Sequence, residues 1–282
     1  MATFTNQATL SYNGNTTNSN VTTGELVEIL SATKTAISES YTYGGGVSYA
    51  VTLINSSSAE TGDLILTDNL GAYTLGAQTI YPLTYTDGSL KFFLNGVLQP
   101  TPTVTAGPPL TVSGISLPGG ASGIFVYEAT ANSYAPLAQG STIVNTVTIT
   151  GDGIAEPITA NAEVTAEAQT TLTIAKAISP DVITDNGELT YTFIIQNSGN
   201  ATADTDANVA VTDVFTPALS NITVTLNGVP FPATSYTYTE ATGAFATNPG
   251  SITIPAATYT QTPTGEVIVT PGVAVLKITG TI

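Results

Sequence analysis

The chain has no cysteine, no histidine, no arginine and no tryptophan. Without Cys there is no disulfide framework and no thiolate metal site. Without His, the commonest general base and the commonest transition-metal ligand are gone. Basic residues are scarce: 4 lysines stand against 20 acidic side chains, a net charge of −16 over 282 residues. That balance argues against nucleic acid and against anionic membranes as partners. No segment approaches the length of a transmembrane helix, and no amphipathic helix of useful length is present. No basic-plus-apolar signal sequence precedes Thr3. The expectation is that a leader was removed before numbering, or that the protein leaves the cell by another route, such as lysis of the producing cell. Phosphate loops, Ser/His arrangements and convergent carboxylate pairs are also missing, so an enzyme with a cofactor or metal is not expected.

What remains is a chain rich in Thr, Ala, Val, Ile, Gly and Asn. Thr, Val and Ile favour strands, and Gly, Pro and Asn punctuate them. An internal repeat organises it. Residues 31–57 (S-A-T-K-T-A-I-S-E-S-Y-T-Y-G-G-G-V-S-Y-A-V-T-L-I-N-S-S) match residues 173–199 (T-I-A-K-A-I-S-P-D-V-I-T-D-N-G-E-L-T-Y-T-F-I-I-Q-N-S-G). Lys34 falls on Lys176, Gly45 on Gly187, Tyr49 on Tyr191 and Asn55 on Asn197. L-I-L-T-D (64–68) matches V-A-V-T-D (209–213), so Asp68 falls on Asp213. F-L-N-G-V (93–97) matches T-L-N-G-V (225–229), an Asn-Gly turn between two strands. Short alternating strands with turn signals at regular spacing predict an all-β protein of two tandem immunoglobulin-like sandwiches.

The repeats diverge after Ala131. The first continues to I-V-N-T-V-T-I-T-G (143–151) and P-I-T-A-N-A-E-V-T-A (157–166), whereas the second stops at Ile282. A counterpart of those strands stands at the other end of the chain. T-F-T-N-Q-A-T-L-S-Y-N-G (3–14) aligns with residues 142–153, placing Phe4 on Ile143, Asn6 on Asn145, Ala8 on Val147 and Leu10 on Ile149. A second strand, G-E-L-V-E-I (24–29), leads into the Lys34 strand. The expected organisation is a donor segment at 1–30, a complete sandwich at 31–168 and an incomplete acceptor sandwich at 169–282. A sandwich without its last strands exposes unpaired backbone groups and apolar core, and a strand donated by another copy answers both needs. The chain is therefore expected to partner itself, head to tail. The alternative is that residues 1–30 fold back onto their own second domain.

Lys34 and Lys176 hold the same place in both repeats, within apolar-alternating runs. A snorkelling lysine is the ordinary reading of such a residue. Here each repeat also has an acid, Asp68 or Asp213, and an Asn at a last strand, Asn145 or Asn6. Lys, Asn and an acid on adjacent strands are the parts of an isopeptide bond. A lysine desolvated among apolar neighbours becomes a nucleophile, and a buried acid polarises the carboxamide and shuttles protons. Asn55 and Asn197 begin strand-end loops and read as turn residues, with a second reading as rival amide partners. Lys277 is the remaining candidate amine. Asp204 and Asp206 are too few for a calcium site. The sequons at Asn15, Asn20, Asn55, Asn200 and Asn221 are expected by chance in a Ser- and Thr-rich chain.

The runs T-K-T-A/A-K-A-I, V-S-Y-A-V-T-L-I-N-S/L-T-Y-T-F-I-I-Q-N-S-G-N, L-T-D/V-T-D and I-V-N-T-V-T-I together resemble the conserved-repeat family called domain of unknown function 11. Its members are sandwich modules repeated in long prokaryotic surface proteins. The resemblance implies an extracellular structural role, on a cell or spore surface, rather than an activity. The permuted register and two-repeat length depart from the family and point to a small polymerising subunit. The bond chemistry resembles that of Gram-positive pilin sandwiches, with Lys34, Asp68 and Asn145 in the matching roles. An adhesin is the second reading. It calls for clustered exposed aromatics, whereas the 13 Tyr and 8 Phe are scattered.

Overall fold

The computed structural model describes residues 2–26, 29–152, 154–184 and 187–282. Among them there is no α-helix, only strands, loops and two single 3₁₀ turns, and no helix is long and apolar enough to cross a membrane. The chain is all-β.

Residues 30–166 form a closed sandwich. One sheet runs in the order Val97–Gln99, Lys91–Leu94, Ser122–Ala131, Gly46–Asn55, Leu30–Ala36, with Leu83–Tyr85 also paired to Ser122–Ala131. The facing sheet runs Thr103–Thr105, Leu110–Leu117, Thr61–Asp68, Thr142–Thr150, Ile158–Ala166, Ser40–Tyr41. Period-two alternation aims one face of each strand inward. Val47, Tyr49, Val51 and Leu53 of one sheet meet Leu64, Leu66, Val147 and Ile149 of the other, all fully buried. The Asp68 strand lies between two neighbours: Leu110 is opposite Asp68 on one side and Val147 on the other. Ile158–Ala166 is the return arm of the hairpin that starts at Thr142, and it lies alongside the Lys34 strand at the sandwich edge.

Residues 172–281 repeat half of this plan. The first sheet is complete in kind: Leu172–Ser179, Glu188–Asn197, Gly272–Thr281, Ser220–Leu226, Val229–Pro230. Lys176 pairs with Phe193 as Lys34 pairs with Val51. Among the described residues the facing sheet has three strands, Thr212–Val214, Ala244–Thr247 and Tyr236–Thr239. Asp213, expected to end a central strand, instead sits on an edge. Its strand pairs with Ala244–Thr247 on one side, and among the described residues no strand pairs with the other. The Lys176 strand is exposed along all eight residues, whereas Leu30 and Lys34 of its counterpart are buried. Leu172, Ile174 and Ile178, which share its inward face with Lys176, are 38%, 58% and 43% exposed.

Residues 2–26 form a free-standing β-hairpin. Ala2–Asn6 pairs with Thr22–Leu26, and Thr9–Tyr12 pairs with Asn15–Asn18 across a tip at Asn13-Gly14. Both tip residues have positive φ, 45° and 79°, the twist that suits right-handed strands. The second strand is thus Thr22–Leu26 rather than 24–29, since Leu30 already opens the Lys34 strand; Val27 and Glu28 lie outside the described residues. The base of the hairpin pairs in the manner of the closing hairpin of the first sandwich, but towards the tip the pairing slips by one residue, with Leu10 opposite Thr17, where the closing hairpin stays continuous. Asn6 is opposite Thr22 and Phe4 opposite Gly24, as Asn145 is opposite Ala162 and Ile143 opposite Val164. Phe4 lies across Gly24, where a Cβ would fall 2.3 Å from the ring. Yet Phe4, Ala8, Leu10 and Tyr12 are all exposed.

Gly71 ties the turn after Asp68 to the closing hairpin. Its φ is +72°, and a Cβ there would lie 2.3 Å from Ile143 Cγ2. Gly71→Ala is expected to destabilise the first sandwich by about 2–4 kcal/mol, combining left-handed strain with overpacking. Urea unfolding of that domain measures it; a change below about 0.5 kcal/mol would mean that the turn relaxes freely.

Candidate crosslinking sites

Lys34 stands at the fifth position of an edge strand, on its inward face, with no exposed side-chain area. Its ammonium has one ionic partner, Asp68, with Nζ 2.5 Å from Oδ2. Tyr127 donates its hydroxyl to the same oxygen, and the Leu70 amide donates to Oδ1 at 2.8 Å. The ammonium also lies 4.7 Å from the Tyr49 ring centroid and 5.8 Å from that of Tyr127. Burial strips water from the amine and lowers its pKa to about 8, against the opposing pull of Asp68. Burial likewise raises both phenols, with the Asp68 charge adding to the effect.

Asn145 comes from the facing sheet. Val147 is opposite Asp68, so Asn145 lies two residues along the same inward face. It is fully buried, and its Oδ1 accepts from the Gly71 amide at 3.2 Å. Its Nδ2 finds no partner among the described residues, and neither does the Tyr49 hydroxyl. A buried carboxamide NH₂ without an acceptor is costly and rare in a folded protein. Lysine, acid and carboxamide thus share one dry pocket between the sheets.

The second sandwich holds two of the three parts. Lys176 forms an ion pair with Asp213, but the two side chains are 41% and 19% exposed. The ammonium lies 4.4 Å from the Tyr191 ring and 5.5 Å from those of Phe193 and Phe215. Tyr191 takes the place of Tyr49. Ile278, opposite Tyr191, takes that of Tyr127, so this acid has no phenol donor. Asn6 is exposed on the free hairpin, and the single chain does not bring it to Lys176.

The remaining candidates have other work. Asn55 donates through Nδ2 to the carbonyls of Ala59, Leu117 and Pro118, and its Oδ1 accepts from Ser57. Asn197 repeats the arrangement with Ala201, Pro255, Thr171 and Gly199. Both carboxamides clamp turns, so neither is a free amide partner. Asn55 and Asn200 are buried, which closes those two sequons. Asp204 accepts from the Asp206 amide and caps a 3₁₀ turn; no group of three acidic side chains converges among the described residues. Lys277 is exposed and Lys91 donates to the Gly88 carbonyl. Sequence reasoning missed Tyr127, which sits in an alternating run and reads as core. Its one signal was a phenol at an inward position, a polar tip that needs a partner.

No family model matches the chain, and no curated protein matches it. Among solved structures it is similar to BcpA, the major pilin subunit of Bacillus cereus, at 12% identity over 72% of this chain and 69% of that one, with a TM-score of 0.39. It is also similar to the pilus backbone RrgB of Streptococcus pneumoniae, at 13% identity over 86% and 55%, TM-score 0.34. The collagen-binding subdomain of the Enterococcus faecalis surface protein ACE matches at 12% identity over 49% of this chain and 99% of that one, TM-score 0.32. Likenesses this low assign no function.

The lowered pKa of Lys34 has a measurable consequence in Asn145→Ala, which keeps the amine free. Between about pH 8 and pH 10 the unfolded chain still holds the lysine proton, whereas the folded domain has released it. Stability of the first sandwich is therefore expected to rise with pH across that window. Thermal melts of this variant at pH 7, 8.5 and 9.5 check the sign; a flat or falling midpoint would contradict the buried amine.

Proposed function

We propose that this protein is the structural subunit of an extracellular filament, polymerised head to tail by hairpin donation and stapled by Lys-Asn amides. One observation carries the reading: among the described residues the edge of the Asp213 strand is open, while residues 2–26 form a free hairpin whose first strand matches, position for position, the strand that closes the first sandwich. Transfer of that match puts Ala8 opposite Asp213 of the next copy, as Val147 is opposite Asp68. Asn6 then enters the second pocket from the side that Asn145 occupies in the first. Thr22–Leu26 comes to lie alongside the Lys176 strand. Phe4, Leu10, Leu172, Ile174 and Ile178 leave water together, each worth about 1.5–3 kcal/mol when fully buried.

Bond formation follows from the same closure. The proton passes from the lysine ammonium to the aspartate along their hydrogen bond, leaving a neutral amine. The amine nitrogen attacks Cγ of the Asn carboxamide, whose oxygen the acid polarises. The new N–C bond forms, the Cγ–Nδ2 bond breaks, and Nδ2 departs as ammonia with the transferred protons. No oxidant or cofactor enters the balance. In the first sandwich Lys34, Asp68 and Asn145 stand ready within one chain. In the second, Lys176 and Asp213 await Asn6 of a neighbour, so strand insertion precedes the chemistry. The surface location rests on the repeat-family resemblance. A role in adhesion has no exposed aromatic cluster behind it.

Deleting residues 1–26 is expected to abolish fibres seen by electron microscopy while leaving the first sandwich folded. In the full chain, boiled fibres are expected to run as a ladder, and Lys176→Ala or Asn6→Ala to collapse it to monomer. Domain one alone is expected to weigh about 17 Da less than its sequence, the mass of one ammonia. Fibres that persist without residues 1–26 would overturn donation; an unmodified mass would overturn the intradomain bond.

A further inference from the structure

Each sandwich carries one insertion that the other lacks. In the first, residues 69–90 separate the Asp68 and Lys91 strands and fold a small hairpin, Tyr73–Leu75 with Gln78–Ile80. Its counterpart in the second is the short link 215–219. In the second, residues 253–272 include the hairpin Thr258–Gln261 with Val267–Thr270. Its counterpart in the first is the tight link Pro118–Ala121.

These two insertions meet each other. Gln261 Nε2 donates to the Tyr73 hydroxyl, and the Val267 amide donates to the Ser133 carbonyl at 2.9 Å. At the hairpin tip, Gly265 has φ +93°, and a Cβ there would fall 2.6 Å from Ile80 Cδ1. A clamp beside them holds the linker. Asn200, 7% exposed, donates to the carbonyls of Leu137 and Glu167 and accepts from the Gln169 amide, each at 2.9 Å. In the first repeat the corresponding residue is Ser58, whose side chain is too short for three such bonds.

We infer that the filament is built from alternating joints, stiff within each subunit and compliant between subunits. The inference rests on the donation reading, because that reading fixes which faces meet across a subunit border. There, the first sandwich of one copy meets the second sandwich of another. At that border the first sandwich has the tight link Pro118–Ala121 and Ser58 where the second has its strap and Asn200, and the second has the short link 215–219 where the first has the seat. Neither the strap nor its seat is present. Bending is therefore concentrated at every second joint, and the two-domain subunit moves as a rod.

The chain has no native cysteine, so pairs of introduced cysteines give spin-label distances without background. With labels on the two domains of the 1–26 deletion, a narrow distance distribution is expected. Replacing residues 257–271 by Pro-Gly together with Asn200→Ser is expected to broaden it several-fold, with domain melting unchanged. This arm does not require fibres. In assembled fibres, labels across the subunit border are expected to give a broad distribution in the unaltered protein. A broad distribution within the native subunit, or no change on removing the strap, overturns the stiff joint. A border joint as narrow as the internal one overturns the alternation. Absence of fibres with a narrow internal joint would instead count against donation itself.

Discussion

An ammonium ion placed between two apolar sheets has to be matched by an anion and sealed from water, and much of this architecture follows from that demand. The Lys34–Asp68 pair supplies the match, with Tyr127 and the Leu70 amide completing the carboxylate. The Thr142–Ala166 hairpin supplies the seal. A buried pair of this kind is weak as a source of stability, because desolvating two charges cancels most of their attraction. The proposed conversion of the amine and a carboxamide into a neutral amide would remove that cost. The unpartnered Nδ2 of Asn145, an oddity in a finished fold, is the group that the proposed conversion would expel.

The second sandwich has the same pair without the seal. Lys176 and Asp213 remain partly exposed, so their pocket is open to solvent. Arrival of a hairpin would dry the pocket and deliver the carboxamide in one event. Under the proposed donation, reaction before assembly would be avoided by geometry alone, since the third reactant would come from a different molecule.

How much of this was legible in the sequence depends on the range of the signal. The Lys, Asp and Asn positions were readable because the repeat prints each of them twice in the same alternating frame. The all-β class followed from period two and turn residues. The hairpin form of residues 2–26 is half visible: Asn13-Gly14 marks its tip, but the return strand starts at Thr22, two residues before the expected 24–29, because Gly24, a poor strand former, interrupts the pattern. Tyr127 was hidden, as its partner lies 59 residues away on the facing sheet. The strap and its seat were also hidden. Each falls in a gap of the repeat alignment, and nothing local says that two gaps touch.

The free hairpin, with Phe4, Leu10 and Tyr12 turned to solvent, carries a liability that changes with size. A lone subunit shows both an apolar ribbon and an open sheet edge. A head-to-tail array of the kind proposed would show one ribbon and one edge in total, at opposite tips, whatever its length. Stickiness per unit mass thus falls in inverse proportion to length, so growth itself renders the material inert. The two tips of such an array would also differ in kind, one a plug and one a socket, which would give it a direction. Anything that anchors or caps it has to recognise one tip and ignore the other.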